Sequence, residues 1–215
     1  MSSKVWILKL SLNLSSGIRR WLAFGLAFCA LSGVGNPLAI KFVSAQAQDQ
    51  KRVAAQSKFD EGEALQKQRT AESLRSALKK YEEALPLWRS VNDRAKEAET
   101  LHNIGYVYHS LFEIQKALNY LNQALTLYRK AGDRRGEANV LNTIGGIYGS
   151  PGENRKALDF YNQELPVRRA AGDSSGEAKT LNNIGDVYDS LGEKQKALDF
   201  HNQAAEVSAR SRRPF

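Results

Sequence analysis

The sequence predicts an all-α protein built as a solenoid of helix pairs, and three observations carry that prediction. The pentapeptide Leu101–Gly105 (LHNIG) returns as Leu141–Gly145 (LNTIG) and again as Leu181–Gly185 (LNNIG), forty residues apart each time. Two kinds of apolar stripe, both with helical spacing, alternate along the chain. Turn residues fall between the stripes at matching offsets. A fixed period of this size signals stacked units, none of which buries its apolar face alone.

Residues 1–47 read as a targeting segment. They hold five cations (Lys4, Lys9, Arg19, Arg20, Lys41) and no acids, an apolar run from Trp21 to Val34, and Ala45-Gln46-Ala47, the small-x-small pattern of a signal peptidase site. Cleavage there yields a chain starting at Gln48. The alternative is an uncleaved anchor through residues 21–40, which carry no charge over a length sufficient to span a bilayer. Either way the positive N-terminal flank places the rest outside the cytoplasm, in a periplasmic or extracellular setting or facing outward from the inner membrane. The residues around Arg19-Arg20 fit a twin-arginine signal poorly, which favours the general secretory route, and Phe28 before Cys29 is too large for a lipoprotein signal. Cys29 is the sole cysteine, so the exported body holds together without disulfides.

Residues 48–93 form a degenerate first pair: an opening helix from Gln48 to about Gln68, with a scatter of Ala54, Phe59, Ala64 and Leu65, then a helix capped by Thr70 and running to about Val91. In that second helix Ala77, Tyr81, Ala84 and Trp88 step by helical intervals along one face. The stripe recurs as Ala117, Leu121, Ala124 and Tyr128, as Ala157, Tyr161, Glu164 and Arg168, and as Ala197, His201, Ala204 and Ser208, growing more polar toward the C-terminus.

The intervening helices carry Leu101, Ile104, Gly105 and Tyr108, and their counterparts at 141, 144, 145, 148 and 181, 184, 185, 188. A mid-helix Gly costs roughly 1 kcal/mol against Ala, so its recurrence calls for a close approach by a partner helix. Gly132-Asp133 and Gly172-Asp173 supply a left-handed helix stop followed by a cap for the next helix, with Asn92-Asp93 in the same role. Within each pair the turn carries Gly152-Glu153 or Gly192-Glu193, with Phe112-Glu113 as the deviant. Pro86 and Pro166 are expected to kink their helices, and Pro151 to end one early. The count is eight helices in four pairs, divided as 94–133, 134–173 and 174–209 after the first pair, with a basic tail at 210–215.

Leu, Ile-Gly and Tyr on one helix, then Ala, an aromatic or Leu, and Ala on the next, resemble the tetratricopeptide repeat. The forty-residue spacing with its Gly-Asp-x-x-Gly-Glu joint resembles the longer variety of kinesin light chains, G-protein-signalling modulators and secreted bacterial proteins in which such repeats precede a caspase-like CHAT domain. The resemblance implies a right-handed α-solenoid and a non-enzymatic scaffold for a protein or peptide partner, with a sensor part of a CHAT-type protease system as the alternative. Glu164 departs from the pattern, where a small residue is usual, and so does Arg69 at the first turn. The last pair lacks the polar closing helix usual at the end of an array, which a truncated gene, a partner covering that edge or self-association would each explain.

The same resemblance places a second stripe of each first helix on the concave wall. It holds Glu99, His102, Asn103, Tyr106 and His109, then Asn139, Asn142, Thr143, Gly146 and Gly149, then Lys179, Asn182, Asn183, Asp186 and Asp189. Asparagine is a poor interior helix residue, yet an amide both donates to and accepts from an extended backbone. Asn103, Asn142, Asn182 and Asn183 are therefore the first candidates, the alternative being bonds to neighbouring helices. Lys179 is the sole cation on this wall, so the basic clamp some relatives use for a terminal carboxylate is not evident, while Asp186 and Asp189 fit a ligand bearing Lys or Arg.

Composition sets the limits. The formal charge of +8 comes from the two ends, because residues 48–209 hold 23 basic and 23 acidic side chains. The body is therefore not a nucleic-acid binder by field. His102 and His109 lack a third ligand for a metal, no cofactor motif is present, and Gly145, Gly146 and Gly149 have the wrong spacing for a dinucleotide turn.

Overall fold

The computed structural model describes residues 37–149 and 152–211. The apolar run 21–34, Cys29, Pro151, Arg212 and Arg213 lie outside them. Eight helices follow in order: α1 (Pro37–Gln66), α2 (Ala71–Ser90), α3 (Arg94–Ser110), α4 (Ile114–Ala131), α5 (Arg134–Gly149), α6 (Asn154–Ala170), α7 (Ser174–Ser190) and α8 (Lys194–Ser211). Among the described residues there is no strand, and no helix is long and apolar enough to cross a membrane. The described residues from Ala54 onward form one compact unit. α1 begins eleven residues before Gln48, so Ala45-Gln46-Ala47 is helical.

Side-chain caps fix the starts of α2, α3, α5 and α7, while Glu113 and Glu153 before α4 and α6 make no such bond. Thr70 and Ser73 bond reciprocally in a capping box at α2. Asp93, Asp133 and Asp173 accept from the backbone N–H of Lys96, Gly136 and Gly176 at 3.1, 2.9 and 2.9 Å, satisfying donors that a helix start leaves unpaired. Every turn contains one left-handed residue: Arg69, Asn92, Phe112, Gly132, Gly152, Gly172 or Gly192. Pro86 and Pro166 lie inside continuous helices and end neither.

Each joint between pairs is fastened by a repeated ion pair: Arg89–Glu97 (2.7 Å), Arg129–Glu137 (2.8 Å) and Arg169–Glu177 (2.7 Å). Burial pushes the Glu97 carboxyl up, but Arg89 and Arg94 outweigh it and hold it below the usual range. At the turn within each of the last three pairs Tyr108 stacks on Tyr120, Tyr148 on Phe160 and Tyr188 on Phe200 at about 5.5 Å, with Lys116, Lys156 and Lys196 over the tyrosines. These tyrosines are structural.

The recurring glycine has the packing cause its position implies. A Cβ on Gly105 would stand 2.7 Å from Leu121, one on Gly145 2.5 Å from Tyr161, and one on Gly185 2.7 Å from His201. Gly62 plays the same part against Tyr81 in the first pair. One apolar core runs from Ala55 to Ile147 and takes in Val167; beyond it lie two smaller clusters, around Tyr161 and Ile184 and around Leu181 and Ala204. Where the large core stops, Glu164 and Arg168 are buried.

Candidate functional site

Each pair packs its first helix on its second (α3 on α4, α5 on α6, α7 on α8), each second helix packs on the next first helix, and α3 also touches α5 directly. The first helices thus form a layer of their own. His102 Nε2 of α3 lies 3.1 Å from Thr143 Oγ1 of α5 across that layer. Burial pushes the His102 pKa down to about 4, so the ring is neutral near pH 7.

The amides divide into two groups. Asn142 donates to Glu164 Oε2 at 3.1 Å and Asn182 Oδ1 meets His201 Nδ1 at 3.2 Å, while Asn103 lies beside the buried Tyr81 phenol. Asn142 and Asn182 thus bond to neighbouring helices, whereas Asn183 is half-buried without a side-chain bond among the described residues. Glu99 is paired with Lys96 at 2.8 Å and Asp189 with Lys194 at 2.7 Å. Asn139 and Lys179 are exposed, and burial lowers the pKa of the half-buried His109. Tyr106 presents 38% of its surface. Asp186 is exposed and stands 3.8 Å from His201 Nε2.

Asn103 and Tyr106 come together in a cavity of about 440 Å³, whose other walls are Glu63, Gln66, Lys67, Arg69, Leu74 and Ser110. Tyr81 donates to Gln66 Oε1 at 2.7 Å, which fixes that amide at the wall and leaves its N–H groups unengaged. Lys67 and Arg69 are in no ion pair among the described residues. The sequence pattern missed Gln66, Lys67 and Arg69 because they lie at the end of α1 and in the turn after it, where the repeat signature is lost. The surviving signal was Gly62, which stands three residues further from its partner than Gly105 does. Among the described residues no cluster of His, Cys, Asp and Glu is arranged to hold a metal.

The stacked helix pairs define a helical-repeat protein of the α-solenoid class. The tetratricopeptide repeat family profile matches residues 64–130, 115–170 and 136–210, over half of the chain, and the chain belongs to that family. A comparison with curated proteins found no match. Among solved structures it is similar to aspartyl phosphate phosphatase F from Bacillus subtilis, with a TM-score of 0.67 at 19% identity over 81% of this chain and 45% of that one. It is similar to BtubC (BKLC) from P. vanneervenii, with 0.59 at 23% identity over 66% and 59%. A third is a Rap protein complexed with Competence and Sporulation Factor, with 0.59 at 24% identity over 71% and 42%. The chain spans about half the length of these proteins, and likeness at such identities concerns the fold.

Proposed function

We propose that the protein is an exported, non-catalytic scaffold that holds a peptide or protein partner along the free faces of α3, α5 and α7. The observation that carries the reading is the cavity lined by Asn103 and the exposed Tyr106 of α3 together with the end of α1 and the turn after it. Tetratricopeptide repeats are interaction modules, and the Rap relative complexed with Competence and Sporulation Factor is a structural neighbour that engages another molecule. Recognition draws on the Tyr106 ring, the Gln66 amide and Asn183, with weak overall salt dependence because the body is balanced in charge. Export rests on the cationic start, the apolar run and Ala45-Gln46-Ala47.

The test is a pull-down from extract of the source organism with the full chain and with a Y106A/N183A variant, which leaves the interhelical bonds intact. A partner retained by the wild type and lost by an equally helical variant supports the groove; equal retention by both defeats it. Cell fractionation with N-terminal sequencing tests export, with Gln48 the expected first residue and a cytoplasmic full-length chain the contrary result.

A further inference from the structure

The first pair differs from the others at its inner turn. Counted from the left-handed residue of each turn (Arg69, Phe112, Gly152 or Gly192), the next residue in the last three pairs is an acid and the fourth a lysine. The two are paired each time: Glu113 with Lys116, Glu153 with Lys156 and Glu193 with Lys196. The first pair has Thr70 and Ser73 at those places, bonded to one another. Its turn lacks the acid and keeps cations, for the exposed Lys67 and Arg69 line the cavity with Glu63 as its single acid. A Glu63–Lys67 pair at i, i+4 would be the ordinary use of such charges. None of the three is in an ion pair among the described residues. Arg69 moreover takes a φ of 56° where two later turns have Gly, a conformation that disfavours a side chain.

Neutral donors complete the walls. Burial raises the pKa of the Tyr81 phenol, which keeps its proton and donates it to Gln66 Oε1 at 2.7 Å. The Gln66 N–H groups are left for a ligand. Tyr106 and Leu74 add apolar surface, and the lining stretch of α3 from Asn103 to Ser110 runs roughly 10 Å along the helix axis. That is the length of about three extended residues.

We infer that this cavity receives an acidic side chain from within the partner segment, its carboxylate held by Lys67, Arg69 and the Gln66 amide, with Tyr106 against the neighbouring residue. Two cations against Glu63 leave an excess of one positive charge, which matches a carboxylate and falls short of a phosphate dianion. The inference rests on the peptide-holding reading above and gives its ligand one required chemical group.

The experiment selects two bead libraries on the full-length chain, both of random peptides of about seven residues, enough to flank the about three that the cavity spans. One library is acetylated and amidated; the other has free C-termini. The expected result is enrichment of Asp or Glu in the capped library. Changing that acid to its amide, or the protein to K67E/R69E, weakens binding about tenfold, the scale of two partly exposed charge pairs, and K67E/R69E selects Lys or Arg in its place. K130E/R155E makes the same charge change at two exposed cations of α4 and α6, and is expected to select as the wild type does. Helicity by circular dichroism confirms that the variants are folded. Capped peptides enriched without an acid, or with an acid that K67E/R69E still selects, overturn the site while the peptide-holding reading stands. So does an acid preference lost equally in K130E/R155E, which would belong to overall charge. Enrichment in the free C-terminal library alone overturns it in favour of chain-end recognition. No enrichment in either overturns both.

Discussion

Arg168 Nε donates to Glu164 Oε1 at 2.9 Å in a site where Glu164 is 0% exposed. The other second helices have Ala84, Ala124 and Ala204 at this position, all buried. Glu164 also accepts from Asn142, and Arg168 donates through its other arm to Asp173 at 2.7 Å. The cluster joins α5, α6 and the start of α7 by polar contacts where the neighbouring joints use apolar ones. It sits where the long core gives way to the two small clusters.

A buried pair is costly to break and cheap to replace whole. E164A takes away one of the two carboxylates that Arg168 pairs with, leaves Asp173 in place and strips Asn142 of its acceptor, and is expected to cost about 1–3 kcal/mol. E164A/R168Y copies Ala124 and Tyr128 of the preceding pair, and the ring has a seat ready, since Gly176 stands where Gly136 makes room for Tyr128. The double variant is expected within about 1 kcal/mol of the wild type, or above it. Urea unfolding of the three proteins checks this; a double variant as unstable as the single one assigns the cluster a role that apolar packing does not replace.

His102 gives the array an acid limit. Its folded pKa of about 4 lies below the ordinary 6.5, so the unfolded chain binds the proton first and stability falls as pH drops from about 6.5 to about 4. Glu164 has the opposite sign: burial raises its carboxyl despite Asn142 and Arg168, so its contribution is full below the ordinary carboxylate range and is lost as pH rises through the raised value. The clean comparison is therefore wild type against H102Q, which keeps an amide facing Thr143. The wild type is expected to lose more melting temperature than H102Q between pH 6.5 and 4, and parallel curves would remove His102 from the account.

The sequence made the periodic parts of the structure legible and left the exceptions dark. Leu101, Ile104 and Gly105 recur because the same backbone approach recurs, and the capping Asp residues recur because each joint leaves the same N–H groups unpaired. Residues that depart from the period carried no such signal. Glu164 showed as an anomaly, and its partners Arg168, Asn142 and Asp173 come together only in three dimensions. The site was legible in part: Tyr106 and Asn103 lay on the predicted stripe, while Lys67 and Arg69 reached the cavity from a turn without a repeat signature. Asn142 and Asn182 bear the pattern of peptide-gripping amides and turn toward neighbouring helices, a choice made by Glu164 and His201, 22 and 19 positions away.

Phe112 holds the turn position that Gly152 and Gly192 hold in later pairs, with φ of 61° against 79° and 78°. Left-handed backbone costs a residue bearing a Cβ about 1 kcal/mol, and the ring, 88% exposed, recovers little by burial. F112G is expected to raise stability by about 0.5–1 kcal/mol after the added chain entropy of glycine is subtracted. Thermal unfolding decides the matter, and a loss of stability would show that the ring packs in solution.

Two adjacent glycines of α5 separate packing from propensity. A Cβ on Gly145 would stand 2.5 Å from Tyr161 Cε1, and that ring is part of the small buried cluster with Ala157, Ile184 and Val187. Alanine there gains roughly 1 kcal/mol of helix propensity against an overpacking cost of about 1–3 kcal/mol, so G145A is expected to be destabilising or at best neutral. One residue on, the nearest described atom to a Cβ at Gly146 is the Tyr161 hydroxyl at 3.9 Å, so packing against the described residues does not oppose the propensity gain. G146A is expected to be more stable than the wild type by about 0.5–1 kcal/mol, with the two variants moving apart in urea midpoint at unchanged slope. Equal shifts in the same direction would show that the wall of α5 yields to a methyl group at either position, and that close contact with Tyr161 is not what keeps Gly145 in place.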